Sequence, residues 1–234
     1  MTAPSMVPTE LLDWWRRGEE QLSMALDRLT EAGFSAPSLL PGWPRAQLLA
    51  HVAGNADALV NLLTWARTGV ETPMYASAEA RDAQIAETAA LAPAELRAEV
   101  IAATGRLAEA VRTMPEVAWS TQVRTAQGRR VPAAQVPWMR CREAWVHSVD
   151  LDAGLLFDDV PENVLAALTD DVFRMWRMRD QEPDVVVIAG DREWGRGPLA
   201  VAGPLPAVTA WLTGRSTGQD LKADSALPKL PAWL

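Results

Sequence analysis

The sequence predicts two parts, a helical bundle and a smaller α+β domain that follows it. Apolar residues recur with a period of about 3.6 residues in five stretches of the first two thirds of this 234-residue chain. The connections between these stretches are short, which is typical of antiparallel bundles. The last third contains the β-branched run "PDVVVIAGD", a pattern typical of a strand. Because the composition shifts near Phe157 to Pro161, we predict domains at residues 1–157 and 158–234.

Each of the five predicted helices has a recognisable beginning or end. The first lies in "PTELLDWWRRGEEQLSMALDRLTEAGF" and is expected to end at Gly33. The second runs from Pro44 to Gly69 and is apolar on most faces, as expected of a buried bundle helix. The third follows a cap at Ser77, and the fourth begins at Pro93. The fifth is predicted from about Pro137 to Ala153.

The remaining segments predict short strands and further helices. Between the fourth and fifth helices, "STQVRTAQGRRVPAAQ" predicts two extended pieces joined by a turn at residues 126–128. In the last third, "PENVLAALTDDVFRMWRMR" predicts a helix, and "PDVVVIAGD" and "GPLAVAG" predict strands. The segment "PLPAVTAWLTG" predicts a short helix before a tail rich in proline.

Composition and charge exclude several classes of function. A net charge of −8 and a pI near 4.9 argue against a general binder of nucleic acid or of a membrane surface. No apolar run approaches the roughly 20 residues that a membrane span requires. A small anionic ligand is compatible with this charge where arginines are gathered locally.

Cysteine usage and the N-terminus indicate a cytoplasmic protein. Cys141 is the one cysteine, so no intramolecular disulfide can form, which fits a reducing compartment. The start of the chain, "MTAPSMVPTELLDWW", lacks the basic residues and apolar core of a signal peptide. No apolar stripe in the sequence indicates an oligomer interface, and a monomer is therefore the expected state.

The two histidines of the chain, together with one glutamate, predict a metal site. In "MRCREAWVHSVDL", Glu143 and His147 are four residues apart and share one face of a helix. His51, in the apolar stretch "AQLLAHVAGNADALV", supplies a third ligand if the second and fifth helices pack together. Such a set leaves a coordination position open, which is typical of catalytic zinc, although neighbouring divalent metals suit the same donors. The alternative is that both histidines are ordinary hydrogen-bonded core residues.

Two further residues on the fifth helix bear on this site. Cys141 lies two positions before Glu143, about 200° around the helix, so we exclude it as a ligand and expect a small buried thiol. Asp150 falls on the face of His147. It is either a hydrogen-bond acceptor that orients the imidazole or an ion-pair partner of an arginine.

Three blocks of the sequence resemble a known family. These are "LLPGWPRAQLLAHVAGNADALVNLLTWARTGVETPMY", "TAQGRRVPAAQVPWMRCREAWVHSVDL" and the terminal "PAWL". They are similar to the actinobacterial mycothiol-dependent maleylpyruvate isomerases, over nearly the whole chain and most weakly between residues 158 and 191. The resemblance implies a DinB-like four-helix bundle with a smaller C-terminal α+β domain. It also implies a divalent metal, usually zinc, held by His51, Glu143 and His147.

The resemblance further implies a reaction and a second cofactor. The thiol of mycothiol adds to the cis double bond of maleylpyruvate, the resulting single bond rotates, and expulsion of the thiolate gives fumarylpyruvate. This is a step in the degradation of aromatic compounds through gentisate. The expected partners are therefore mycothiol and a small dicarboxylate-type substrate.

Three arginines are candidates for binding carboxylates. The family has a functional arginine in its smaller domain, and the setting "AWLTGRSTG" makes Arg215 its counterpart here. Arg215 would hold a substrate carboxylate or stabilise the enolate. The alternative is a solvated charge that interacts favourably with a helix C-terminus. Arg140 and Arg142 flank Glu143 and are secondary candidates, or else solvated charges on the helix surface.

Two other functions are compatible with the same residues. The first is a thiol transferase that joins mycothiol to another electrophile; the blocks "ETPMY" and "TAQGR" favour the isomerase. The second is a non-catalytic metal-binding module. The three-ligand set argues against it, because structural zinc usually takes four protein ligands.

Overall fold

The computed structural model describes residues 7–233. The chain divides into two compact units, the first ending at Leu155 and the second beginning at Leu156. The expectation that no signal peptide is present depends in part on residues 1–6, and the terminal "PAWL" block includes Leu234; both lie outside the described residues. Along residues 7–233, no helix combines the length and the apolar character that a bilayer crossing requires.

The first unit is built mainly from helices. Its α-helices are α1 (Thr9–Arg28), α2 (Glu31–Ser35), α3 (Arg45–Thr68), α4 (Ala78–Ala89), α5 (Pro93–Arg112) and α6 (Val136–Asp150). Helix α3 packs against α4, α5 and α6, and α1 lies along α6. Gly18 permits the close approach of α1, since a Cβ atom there would lie 2.9 Å from the Trp145 ring of α6. These contacts confirm the predicted helical bundle.

The bounds of helix α3 match the prediction closely. Its glycine end and its apolar composition both suit a helix that is buried in the bundle. Gly69 follows its last turn with a φ of 75°, and the Gly69 N–H donates to the Trp65 carbonyl. Most of its side chains are buried, as the lack of a polar face predicts. Ser77 caps α4 and Pro93 opens α5, both as predicted.

The predicted end of the first helix at Gly33 is wrong. Helix α1 ends at Arg28, Leu29 is extended, and a new short helix begins after Thr30. The Thr30 side chain accepts a hydrogen bond from the Gly33 N–H. A threonine cap therefore starts α2 where the sequence pattern indicates an uninterrupted helix.

A two-stranded hairpin precedes α6. Strands β1 (Gln122–Arg124) and β2 (Arg130–Pro132) pair antiparallel, with Val123 opposite Val131. Gly128 in the turn has a φ of 78°, a conformation that favours glycine. The predicted pair of extended pieces around this turn is confirmed.

The second unit combines two helices with a small sheet. Its elements are α7 (Glu162–Met178), β3 (Asp184–Ala189), β4 (Arg192–Ala202), α8 (Leu205–Leu212) and β5 (Lys222–Ala223). The sheet order is β3-β4-β5, and α8 packs on α7. Gly197 lies so close to strand β3 that a Cβ atom would meet the Asp184 carbonyl oxygen at 2.3 Å. The helices and the first two strands agree with the predictions for this part; β5 falls in the predicted tail.

Candidate metal centre

His51, Glu143 and His147 converge between α3 and α6. The Nε2 atoms of His51 and His147 lie 3.2 Å and 3.1 Å from Glu143 Oε2. The ligand atoms of all three residues lie within 4.8 Å of one another. The side chains are 12–14% exposed. The structure thus brings together the three residues that the sequence predicts as ligands.

Arg45 links the start of α3 to the residues that follow α6. Arg45, the first residue of α3, donates from Nε to the Leu151 carbonyl at 2.6 Å and from Nη2 to the Asp152 carbonyl at 2.7 Å. These carbonyls lie just beyond α6 and have no partner within that helix. The contact ties the start of one helix to the end of the other.

The partners of the ring nitrogens indicate which of these nitrogens carry protons. Glu143 is a carboxylate that only accepts, so both Nε2 atoms donate to it. His147 Nδ1 also donates, to Asp150 Oδ2 at 2.9 Å, which makes His147 an imidazolium. His51 Nδ1 instead faces the Arg81 guanidinium at 3.3 Å. Because arginine only donates, His51 Nδ1 accepts and the ring is neutral.

The pKa shifts agree with this assignment. Burial lowers the pKa of His51, and the contact with Glu143 does not compensate for it. Burial acts in the same direction on His147, but Asp150 and Glu143 outweigh it and raise the pKa of His147 to about 9. For Glu143, burial opposes the charge, yet hydrogen bonds from the two imidazoles hold its pKa well below its usual range. The cluster therefore contains one anion and one cation near neutral pH.

The chemistry of these donors fits a divalent cation. Two imidazole nitrogens and one carboxylate oxygen surround one point, and Asp150, which is fully buried, supports one imidazole from behind. A carboxylate behind a histidine ligand fixes its ring orientation and increases its basicity. The hydrogen bond to His147 supports the first of the two roles predicted for Asp150. Within residues 7–233 the ligand group contains three residues, so coordination positions stay open for other ligands.

Asp150 is expected to strengthen metal binding without touching the metal. Replacing it by alanine removes the acceptor for His147 Nδ1 and should weaken zinc binding by about 100-fold, whereas Asp150→Asn retains an acceptor and should weaken binding by about tenfold. Competition with a chromogenic chelator measures both affinities. Equal affinities for wild type and Asp150→Ala would show that Asp150 has no part in metal binding.

Cys141 is buried, as predicted. It is a free thiol with no exposed surface. Burial, assisted by the negative charge of Glu19, raises its pKa to about 12. The thiolate form is therefore scarce at neutral pH, and this residue is a poor nucleophile.

The interpretation of Arg140 and Arg142 as solvated surface charges is wrong, because both side chains are buried. Arg140 is fully enclosed, and all of its donors bind protein groups. Its Nε and Nη2 atoms bind the Glu19 carboxylate at 2.6 Å and 3.2 Å. The other bonds reach the Val52 carbonyl, Asn55 Oδ1 and Thr104 Oγ1. Arg140 therefore connects four helices and has no donor left for a substrate.

A cavity of about 310 Å³ is connected to the cluster through Arg81, which lines the cavity and contacts His51. It is lined by parts of both blocks "ETPMY" and "TAQGR", together with Arg81 of α4. Asn61 of α3 holds the first block by donating to the carbonyls of Pro73 and Met74, both at 3.3 Å. The backbone N–H of Ala126 contacts Met74 Sδ at 3.2 Å and joins the second block to the first.

Sequence reasoning missed Arg81 and Tyr75. The Arg81 guanidinium stacks 5.8 Å from the centre of the Tyr75 ring, and both side chains line the cavity. Burial raises the pKa of Tyr75, so its hydroxyl is a neutral donor at neutral pH. Nothing in the stretch "SAEARDAQIAETAAL" distinguishes Arg81 from a solvated helix charge. Its role depends on how α4 packs against α3.

Arg215 lies in the second unit, directly after α8. Gly214 has a φ of 78°, its N–H donates to the Trp211 carbonyl, and the Arg215 N–H donates to the Ala210 carbonyl. This pair of bonds is a Schellman motif, which requires the left-handed conformation at Gly214. The Arg215 side chain is half-buried and donates to the Thr213 carbonyl at 2.6 Å. Its assignment as a catalytic residue stays a prediction.

The fold and the site define a class of protein. It is a DinB-like helical bundle with a His-Glu-His cluster between two helices that could hold a metal ion, followed by an α+β unit. The sequence profile of the mycothiol maleylpyruvate isomerase N-terminal domain matches residues 15–152. Two crystal structures of the mycothiol-dependent maleylpyruvate isomerase, one of them a histidine-to-alanine mutant, each share 38% identity and a TM-score of 0.92 over 100% of both chains. The chain belongs to the mycothiol-dependent maleylpyruvate isomerase family. No curated protein matches the sequence.

Proposed function

We propose that the protein, acting as a cytoplasmic monomer, isomerises maleylpyruvate to fumarylpyruvate with mycothiol as cofactor and zinc as the metal. The observation that carries this proposal is the similarity to the mycothiol-dependent isomerase, 38% identity over the full length of both chains. The His51, Glu143 and His147 cluster supports it, because these residues are suited to hold zinc. The buried free thiol of Cys141 suits a reducing compartment.

The requirement for an external thiol follows from the chain's own chemistry. A cis double bond converts to trans when a nucleophile adds, the single bond rotates and the nucleophile leaves. Cys141 is enclosed and its pKa is raised to about 12, so it does not supply the nucleophile. A metal held by the cluster would favour the thiolate form of a bound thiol at neutral pH.

The side chains around the cluster have separate tasks in this scheme. Glu143 and the two histidines would hold the metal, while Asp150 keeps the Nδ1 proton of His147 in place and so directs Nε2 inward. Trp43 packs edge-on against His51, with ring centres 5.9 Å apart, and shields that imidazole from water. The nearby cavity has a size typical of sites for small organic ligands.

The experiment that tests the proposal is turnover of maleylpyruvate by zinc-loaded protein with and without mycothiol, with identification of the product. Thiol-dependent formation of fumarylpyruvate is the expected result. An S-conjugate that accumulates in solution would identify a transferase. A zinc-loaded protein that changes neither substrate nor thiol would favour a non-catalytic metal-binding module.

We also propose Arg215 as the catalytic arginine that binds a substrate carboxylate or stabilises the enolate. Its support is the resemblance of "AWLTGRSTG" to the family and the rigid Schellman motif that holds its backbone. Arg215→Ala should lower kcat by about 10²- to 10³-fold, the usual effect of removing one donor to a developing oxyanion. Zinc content should stay at the wild-type level.

The matched control for Arg215→Ala is Arg177→Ala. It removes an arginine of α7 whose side chain is 55% exposed. This control should leave the kinetics unchanged. Steady-state kinetics and metal analysis of both variants measure the difference. If Arg215→Ala has normal kinetics, the catalytic arginine lies elsewhere.

A further inference from the structure

Arg81 occupies an unusual position between the metal ligands and the cavity. Its Nη2 atom lies 3.3 Å from His51 Nδ1, and its other contacts are the ring and hydroxyl of Tyr75 and an ion pair with Asp82 at 2.9 Å. Asp82 is 72% exposed, so this ion pair is screened by water and holds the guanidinium only weakly. The side chain is therefore free to exchange partners at small energetic cost.

The contact between Arg81 and His51 is compatible only with a protonated Nε2 on His51. When Nε2 of a neutral imidazole binds a metal, the single ring proton must be on Nδ1. Nδ1 then donates, and it would face a guanidinium that also only donates. Arg81 must therefore give up this contact when the cluster holds a metal, and its Nη2 atom needs another acceptor.

The neighbouring cavity offers space for such an acceptor, and its lining supplies one carboxylate, that of the exposed Glu71, besides hydroxyl oxygens. The charged side chains that line it are Arg81, Arg124 and Glu71, so cationic groups outnumber anionic ones. Arg124 is exposed to solvent. Ser77, Thr125 and the neutral Tyr75 line the same space and can donate hydrogen bonds. A carboxylate is the ligand group that these donors match best.

We propose that Arg81 is a substrate-positioning residue that leaves His51 when the metal binds and then holds a carboxylate of the substrate in this cavity. The inference rests on the proposed function for the identity of the substrate, a small dicarboxylate. Arg81 then has two linked effects. It stabilises the metal-free form of His51, and it supplies binding energy for the substrate when the metal is bound.

The test uses zinc-loaded wild type, Arg81→Ala and Arg81→Lys with maleate as the probe, in calorimetric titrations without thiol. Arg81→Ala should weaken maleate binding by about 10- to 100-fold, as loss of a hydrogen bond to a charged group predicts, and Arg81→Lys should lie between the two. Arg67→Ala, which removes an exposed arginine at the end of α3, is the matched control and should bind maleate like wild type.

Zinc affinity provides a readout that a purely structural role would not produce. The contact with Arg81 stabilises the form of His51 that carries its proton on Nε2, and this form cannot bind zinc through that nitrogen. Arg81→Ala should therefore bind zinc about 2- to 10-fold more tightly than wild type. A supporting residue of the metal site would give weaker binding when removed. Weaker zinc binding by Arg81→Ala would therefore overturn the proposal, as would unchanged affinity for maleate.

Kinetics separate this inference from the proposed function. If wild type isomerises maleylpyruvate, Arg81→Ala should raise the KM for maleylpyruvate about tenfold and leave the KM for mycothiol within about twofold. An effect on the mycothiol KM alone would overturn the inference and assign the cavity to the thiol. If wild type has no isomerase activity but maleate binding still depends on Arg81, the proposed function fails and the dicarboxylate site stands.

Discussion

Alanine at His51, Glu143 or His147 is expected to reduce the zinc content of the purified protein to background and to lower turnover by about 1,000-fold or more. A metal that stabilises developing charge contributes several kcal/mol to the transition state, and each 1.4 kcal/mol or so corresponds to a factor of ten. Each substitution also removes one of three candidate ligands, and among residues 7–233 the cluster contains no further histidine, cysteine, aspartate or glutamate. Metal analysis and steady-state kinetics measure the two losses.

The variants should lose the metal without losing the fold. The three side chains are not the main source of packing in α3 and α6, since both helices bury long apolar faces around them. Circular dichroism should therefore retain most of the helical signal. Glu109→Gln, which alters an exposed carboxylate paired with Arg112, is the matched control and should keep full zinc content. Full zinc content in any ligand variant would remove that residue from the ligand set.

The apparent affinity for zinc is also expected to depend on pH, because the hydrogen bonds of His147 favour its protonated form. The pKa of His147 is raised to about 9 in the metal-free protein, so below that pH the ring carries a proton that zinc must displace. Apparent zinc affinity should fall by about tenfold for each pH unit below 9, from this group alone. Calorimetry in buffers of different ionisation enthalpy should detect one proton released at pH 7. Binding without proton release would contradict the assignment of His147 as an imidazolium.

The sequence predicts those parts of the site that depend on one helix. The four-residue spacing of Glu143 and His147, the position of Asp150 on the same face and the opposite position of Cys141 all follow from helical geometry, and the structure agrees with each. The same holds for the limits of α3, where caps and apolar periodicity point in one direction.

Features that depend on packing between helices are not visible in the sequence. Arg81 reaches His51 from a helix in which alanines alternate with charged residues, and Arg140 pairs with Glu19 across 121 positions of the chain. Both arginines have the sequence environment of solvated charges. The boundary between α1 and α2 was predicted wrongly for a local reason, because the Thr30 cap interrupts the helical periodicity of this stretch.

Removal of Arg140 is expected to destabilise the protein by about 3–5 kcal/mol, the range observed when one partner of a buried ion pair is lost. The guanidinium is fully buried and Glu19 is 12% exposed. Arg140→Met removes the charged donor to that carboxylate, which keeps hydrogen bonds from Trp15 Nε1 and Thr104 Oγ1, and it removes the side-chain donor to the Val52 carbonyl. For a chain of this length, the corresponding fall in Tm is roughly 6–20 °C, which differential scanning calorimetry can measure.

The same substitution should also weaken the metal site, because Arg140 links the helices that carry the ligands. It lies on α6, three residues before Glu143, and it binds the carbonyl of Val52, the residue after His51. Loss of this bond allows α3 to shift against α6. Zinc affinity of Arg140→Met should therefore fall even at temperatures where the protein is folded, although no ligand has been altered.

Two comparisons distinguish a buried ion pair from a general effect of losing a charge. Arg16→Ala removes an exposed arginine that pairs with Asp13 and Glu20, and it should change stability by less than about 1 kcal/mol. The double variant Arg140→Met with Glu19→Leu should recover at least about 1 kcal/mol relative to the sum of the single variants, since it leaves no buried carboxylate unpaired. A loss below about 1 kcal/mol for Arg140→Met alone would show that α1, α3, α5 and α6 hold together by apolar packing without this arginine.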